Sequence, residues 1–348
     1  VATRPRQIVI CERSAGQARA LARFLERDSG IDVVAVCGDS NELLKRLEEL
    51  EPDLIALDLE TTGVSAASTI EQIMRARPVP ILILGGREGE DDEPVAEALA
   101  AGALEALPRD KLRLDEPESI WATALRSRVK RLASLQLKRR RPETHGASAS
   151  PRAWRKPGGA YRAIGIGASV GGPPALAAVL GGLPRDFPLP VLVVQHMAAG
   201  FGEGLAKWLD ESASISVRLA ADGAPLQAGV WMAPDGAHLR LEPSMRLSLD
   251  RKTSRGAHRP SLDVLFESLA SSAGEGAVGV VLTGMGRDGA EGIRELRQAG
   301  GLTIAQDEES SAVFGMPGAA IDSGVDLVLP LEALAPKLAT LRAQKVPR

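Results

Sequence analysis

The chain is 348 residues long, 44% hydrophobic, carries a formal charge of −3 and has two cysteines, Cys11 and Cys37. That length accommodates two domains, and the near balance of charge describes an ordinary soluble protein. Two thiols without paired-ligand spacing argue against a zinc cluster or a disulfide framework; no N-terminal apolar segment has the form of a signal peptide or membrane span, so a cytoplasmic location is expected.

The first half alternates apolar strands with helical patterns: a strand at 7–11, a helix near 15–26, strand 31–37, helix 40–50, strand 53–58 and strand 80–84. Such alternation predicts a parallel, flavodoxin-like α/β sheet. Residues 5–115 resemble a response-regulator receiver domain, with Asp58, at the end of the third strand, in the place of the phosphoacceptor. The resemblance implies Mg²⁺ held by an acidic pair after the first strand, because a hard dication takes oxygen ligands and neutralises phosphoryl oxygens. This chain has Cys11-Glu12 there, Gly85-Gly86 in place of the switch Ser/Thr, and Arg109 where the family has lysine. The expectation is therefore a degenerate receiver over 1–120. Asp58 is either a vestigial acceptor or a plain loop residue, and Glu12 and Asp58 are at most remnants of a Mg²⁺ site. Phosphorylation is expected to be weak or absent, with the domain acting as a protein-binding or inhibitory cap.

A basic helix and linker is expected at 121–160. The helix runs from Ile120 to about Leu137, and residues 126–156 hold eleven Lys or Arg against the single acid Glu143. The Pro, Ser, Gly and Ala content reads as a solvated, flexible linker in preference to a nucleic-acid or membrane-surface patch, since no folded reader accompanies the run.

The second half, 161–348, opens with Ala163-Ile164-Gly165-Ile166-Gly167-Ala168-Ser169-Val170-Gly171-Gly172-Pro173-Pro174, a strand entering a glycine-flanked serine and then a helix. Small neighbours let the chain turn sharply and hold the hydroxyl clear of the backbone, and the helix N-terminus favours an oxyanion beside it. Taken alone, this turn is compatible with a nucleophilic serine, a phosphate cradle or a tight structural turn. The glycine spacing departs from G-x-G-x-x-G by one residue, which disfavours dinucleotide binding.

A serine nucleophile needs a base, and the histidines are His145, His196, His238 and His258. Only His196 ends an apolar run, Val191-Leu192-Val193-Val194-Gln195, which would bring it to the carboxyl edge shared by Ser169. His238 reads as a loop tie as readily as a functional group, His258 as a solvated loop residue in preference to a substrate contact, and His145 as part of the linker. A third run, Val278-Gly279-Val280-Val281-Leu282, leads through Thr283-Gly284-Met285-Gly286-Arg287 to Asp288. Asp288 would cap the helix that follows it, or accept the second ring N–H of His196.

The order Ser169, His196, Asp288 is that of neither the α/β-hydrolases nor the two familiar serine-protease orders. Residues 161–345 instead resemble the chemotaxis protein-glutamate methylesterases. The resemblance rests on the serine, histidine and aspartate segments above and on Trp231-Met232-Ala233-Pro234, His258-Arg259-Pro260-Ser261 with Asp263-Val264-Leu265-Phe266, and Phe314-Gly315-Met316-Pro317. Val170 stands where the family usually has threonine, and Ala198-Ala199 where it has Pro-Pro.

The resemblance implies a doubly wound parallel-sheet domain that hydrolyses glutamate methyl esters of chemoreceptors and deamidates glutamines. Its partners would be methylated cytoplasmic receptor helices and a chemotaxis histidine kinase, without membrane insertion or nucleic acid. Ser169 would attack, His196 would act as base and Asp288 would orient it, with the backbone near Val170 and Met285 as oxyanion hole and no catalytic cofactor. The competing reading is a noncatalytic two-component scaffold that binds receptor or kinase.

Overall fold

A computed structural model describes residues 4–61, 65–86, 93–135, 137, 160–256 and 258–343. The chain divides into two compact units, 1–139 and 140–348. Among the described residues no helix is long and apolar enough to cross a membrane.

The first unit runs β1 (Arg6–Cys11), α1 (Ala15–Leu25), β2 (Ile31–Cys37), α2 (Ser40–Glu49), β3 (Leu54–Asp58), α3 (Ala66–Ala76), β4 (Ile81–Leu84), α4 (Glu93–Ala100), β5 (Glu105–Leu107) and α5 (Ile120–Ala133). All five strands are parallel in the order β2-β1-β3-β4-β5, the flavodoxin-like order expected of the alternation. Every side chain of β3 and β4 is buried, as a sheet covered on both faces requires.

The helix that the charge count assigns to a linker is the fifth helix of this unit. Leu125 and Val129 of α5 line the same apolar space as Leu21, Leu25, Leu54 and Leu82. Its basic residues are engaged: Arg126 is buried with its guanidinium over the Phe24 ring and donates to the Pro117 carbonyl, Arg128 pairs with Glu105, and Lys130 pairs with Asp28. The long stems of these residues pack while their charges find partners, so a basic count alone misread an amphipathic helix. It ends at Ala133, short of Leu137. The basic run at 138–141, His145 and the rest of the linker reading lie outside the described residues.

The second unit runs β6 (Ala163–Ala168), α6 (Gly172–Gly181), β7 (Pro190–Gln195), α7 (Gly202–Ser212), β8 (Val217–Leu219), β9 (Gly229–Met232), β10 (His238–Leu241), β11 (Leu247–Asp250), α8 (Leu262–Ala273), β12 (Ala277–Val281), α9 (Ala290–Gln298), β13 (Leu302–Gln306), α10 (Gly315–Ser323), β14 (Leu327–Leu329) and α11 (Leu331–Ala339). Seven parallel strands form the order β14-β13-β12-β6-β7-β9-β8, and β10–β11 is a separate antiparallel hairpin. Helices α6, α7 and α11 cover one face; α8, α9, α10 and the hairpin cover the other.

From β6 the chain winds to β7 and beyond, then returns to β12 on the other flank of β6. The crevice at the carboxyl ends of β6 and β12 is therefore a topological switch point, where open α/β sheets bind ligands. The strand glycines bring α8 close to it. A Cβ on Gly167 would lie 1.9 Å from Leu262 Cδ2, and one on Gly165 2.5 Å from Leu269 Cδ1. These two glycines thus serve helix–sheet packing, and neither is part of a phosphate cradle.

Candidate active site

Ser169 follows β6 directly and is buried. Its N–H donates to the Thr283 carbonyl at 3.0 Å, and its own carbonyl accepts from the Gly172 amide at 2.8 Å and from Gln195 Nε2 at 2.8 Å. The turn depends on Gly171, whose φ of +72° is left-handed and whose added Cβ would meet Ala312 Cβ at 2.6 Å. Gly284 approaches still closer from the β12 side: a Cβ there would lie 2.8 Å from Ser169 Cβ and 2.3 Å from Met316 Sδ.

His196 follows β7, and its amide donates to the Ala168 carbonyl at 2.9 Å, so histidine and serine loops are bonded edge to edge. Gln195 strengthens that join, since the same Nε2 also donates to the His196 carbonyl at 2.9 Å. The imidazole Nε2 lies 2.8 Å from Asp288 Oδ2. An ionised carboxylate only accepts, so Nε2 carries the proton and Nδ1 carries the lone pair. Nδ1 is buried and has no hydrogen-bond partner, so the link from serine to imidazole is the one not closed in this structure.

Asp288 is held by four donors. Besides His196 it accepts from the Ser261 hydroxyl at 2.8 Å, the Leu262 amide at 2.7 Å and the Asp263 amide at 3.2 Å. Burial pushes its carboxyl up, but the His196 hydrogen bond and charge, the Leu262 amide and the Ser261 hydroxyl outweigh that and hold it well below the usual carboxylate range. It does cap a helix, though not the one that follows it. Its amide partners open α8, while Asp263 of α8 accepts from the Gly289 amide at 3.0 Å and the Gly292 amide at 2.8 Å and so caps α9. Burial foremost, with Asp288 nearby, pushes Asp263 up to about 6.

The remaining histidines support this arrangement. His238 is fully buried; its Nε2 donates to the Thr253 carbonyl at 3.1 Å and its Nδ1 accepts the Ser261 amide at 3.2 Å. Burial pushes its imidazole down, consistent with a neutral loop tie. His258 is exposed, as its polar loop suggests, and its ring is stacked on that of His196. Val170 is buried, with its carbonyl accepting from the Thr283 hydroxyl at 3.0 Å, and Met285 follows a glycine pinned by Val313 and Met316. Gln195, Thr283, Ser261 and Asp263 lie within the segments that carry the resemblance but were assigned no role in the site.

The first unit holds a second carboxylate at a strand end. Asp58 is buried at the end of β3, and Arg109, after β5, pairs with it and with Glu12, the latter at 2.8 Å. The other guanidinium arm donates to Gln17 Oε1 at 2.7 Å. Burial foremost pushes Glu12 up, with Asp58 adding to it and the Ser14 amide and Arg109 opposing it. Asp58 is thus neither solvated nor a plain loop residue. Mg²⁺ needs several oxygens free to bind in an octahedron, and here a guanidinium takes the two carboxylates. Among the described residues no group of three His, Cys, Asp or Glu gathers to hold a metal. These residues do not fit Mg²⁺.

Comparison with known proteins follows the same division. A family model described as CheB methylesterase matches residues 164–338, and one described as response regulator receiver domain matches 8–112. The chain is 42% identical over 336 residues to a protein-glutamate methylesterase/protein-glutamine glutaminase of Anaeromyxobacter dehalogenans, covering 95% of each. It is 36% identical over 345 residues to a protein of that name from Nitrosospira multiformis, covering 97% of each. Among solved structures it is similar to the CheB methylesterase catalytic domain of Thermotoga maritima, at 37% identity and a TM-score of 0.50. That match covers 51% of this chain and 97% of the Thermotoga one.

Proposed function

The chain belongs to the CheB methylesterase family, with a receiver domain ahead of the catalytic domain, and on that premise we propose that it hydrolyses glutamate methyl esters on chemoreceptors and deamidates their glutamines. The observation that carries the reading is the His196–Asp288 pair at the switch point, one strand from the serine turn. His196 Nδ1 takes the Ser169 proton as Oγ attacks the ester carbonyl. The imidazolium returns that proton to the departing methoxide, methanol leaves, and an acyl-serine remains. Water, deprotonated at the same nitrogen, then frees the glutamate. With a glutamine the leaving group is ammonia and the acyl intermediate is the same. The Val170 and Met285 amides are the proposed oxyanion donors, and the substrate's arrival is the proposed cue for Ser169 Oγ to turn toward Nδ1.

No cofactor enters this route. The proposed partners are the methylated cytoplasmic helices of receptors and a chemotaxis histidine kinase, and the proposed place of work is the cytoplasm. For the receiver domain the Arg109 bridge supports a vestigial Asp58 whose domain acts by protein contact, not by phosphoryl transfer. Methyl-labelled chemoreceptor incubated with the full chain, and separately with residues 158–348, tests the reading by released methanol. Release that is absent in Ser169→Ala is expected; equal release by that variant would overturn the serine mechanism.

A further inference from the structure

The rings of His196 and His258 lie face to face, with centroids 4.1 Å apart and planes 11° from parallel. The chain that follows His258 is tied down at two residues. Arg259 donates to the Arg251 and Thr253 carbonyls, both at 2.8 Å, and His238 donates to the same Thr253 carbonyl. Two residues further on, the Ser261 amide is held by His238 and its hydroxyl by Asp288. The residues that follow His258 are therefore bonded to His238 of the hairpin, to the chain just past the hairpin and to the triad carboxylate.

Such a fixed face matters because of what His196 lacks. Its ring has one hydrogen bond, through Nε2, and none at Nδ1. The torsion that swings an imidazole about its Cβ–Cγ bond is soft, so one hydrogen bond defines the ring plane poorly. A second flat ring parallel to the first restricts that swing, and aromatic pairs in this geometry are favourable beyond simple burial.

We propose that His258 is a positioning residue for the hydrolysis: it holds the plane of the His196 ring so that Nδ1 keeps the orientation needed to take the Ser169 proton. The proposal rests on the Ser169–His196–Asp288 reading above. It requires the flat face of His258 and not its nitrogen chemistry, which separates it from a substrate-binding role.

The test uses the full chain with methyl-labelled receptor as substrate and the variants His258→Ala and His258→Phe, each checked for wild-type thermal unfolding. His258→Ala is expected to lower kcat about tenfold, the magnitude of one aromatic pair, with KM within about twofold of wild type. His258→Phe is expected to restore most of kcat. Ring resonances of His196, in histidine-labelled protein and assigned by their loss in His196→Gln, are expected to move in the alanine variant and return toward wild type in the phenylalanine one. Unchanged kcat in His258→Ala, a rise in KM alone, or no rescue by phenylalanine would overturn the proposal. Wild-type chain that releases no methanol would instead sink the esterase reading on which it stands, and the two failures are told apart by that control.

Discussion

Asp58, buried at the carboxyl end of a parallel strand, and Asp288, half-buried in the loop that follows one, are each bonded to a basic side chain. Their partners differ in one property. Guanidinium nitrogens only donate, and one of them on Arg109 bonds both Asp58 and Glu12, so that site is a closed ion pair. An imidazole can donate at one nitrogen and accept at the other, and the second nitrogen of His196 is left without a partner, so the other site is open to proton transfer. Position on a sheet edge offers a carboxylate a role; the partner's proton chemistry decides which role it takes.

Replacing Asp288 by asparagine should have the largest effect on this contrast. The amide presents N–H to an imidazole that must donate, so the ring is expected to flip its tautomer and methanol release to fall about a thousandfold or more. The amide also meets the Ser261 and Leu262 donors with one fewer acceptor, which should cost about 1–2 kcal/mol of stability in denaturant titration. Activity within tenfold of wild type would show that orientation of His196 does not depend on this carboxylate.

Arg109→Ala should act on stability rather than on chemistry. It leaves Glu12 and Asp58 buried without their cation, a loss of about 3 kcal/mol for the first unit once the partial exposure of Arg109 is allowed for. Urea unfolding followed by hydrogen exchange in peptides of β1 and β3 reads this directly. No phosphodonor labelling of Asp58 is expected in the wild type with Mg²⁺; stoichiometric labelling would mean that Arg109 yields its place.

The smallest effect is a difference in sign with pH. Glu12 is pushed above its ordinary 4.5, chiefly by burial, so it binds a proton more readily folded than unfolded. Its contribution is present below 4.5 and is lost as pH rises through the raised value. Asp288 is held below its ordinary 3.8 against the pull of burial, so its contribution is present above 3.8 and is lost as pH falls through the depressed value. Comparing wild type with Glu12→Gln and Asp288→Asn, exchange probes in the two units should give pH slopes of opposite sign that each variant flattens. Slopes of the same sign would mean that the two carboxylates are held alike.

The sheet orders and the strand ends that carry Asp58, Ser169, His196 and Asp288 were legible because buried parallel strands read as unbroken apolar runs. What escaped were relations between distant segments. Asp288 caps a helix that begins 26 residues before it, through the Leu262 amide, and nothing in the local pattern indicates this. His258 is exposed as its polar neighbours suggest, but its stacking over His196 joins segments far apart in the chain. Arg126, Arg128 and Lys130 read as linker charge because a sequence shows charges and not their partners. Gly165 and Gly167 looked like part of a turn motif, although their use is to admit Leu269 and Leu262.

The crossed capping of α8 and α9 by Asp288 and Asp263 has a consequence for how this protein can change over generations. The carboxylate that orients the base is also a fastening between two helices, so a substitution that silences hydrolysis there is felt by the scaffold as well. Drift toward an inactive descendant is then obstructed at Asp288 by selection for a folded chain alone. It meets less resistance at Ser169, where the hydroxyl is not part of that fastening, so a lineage turning to pure recognition would be expected to lose its serine first and keep its aspartate.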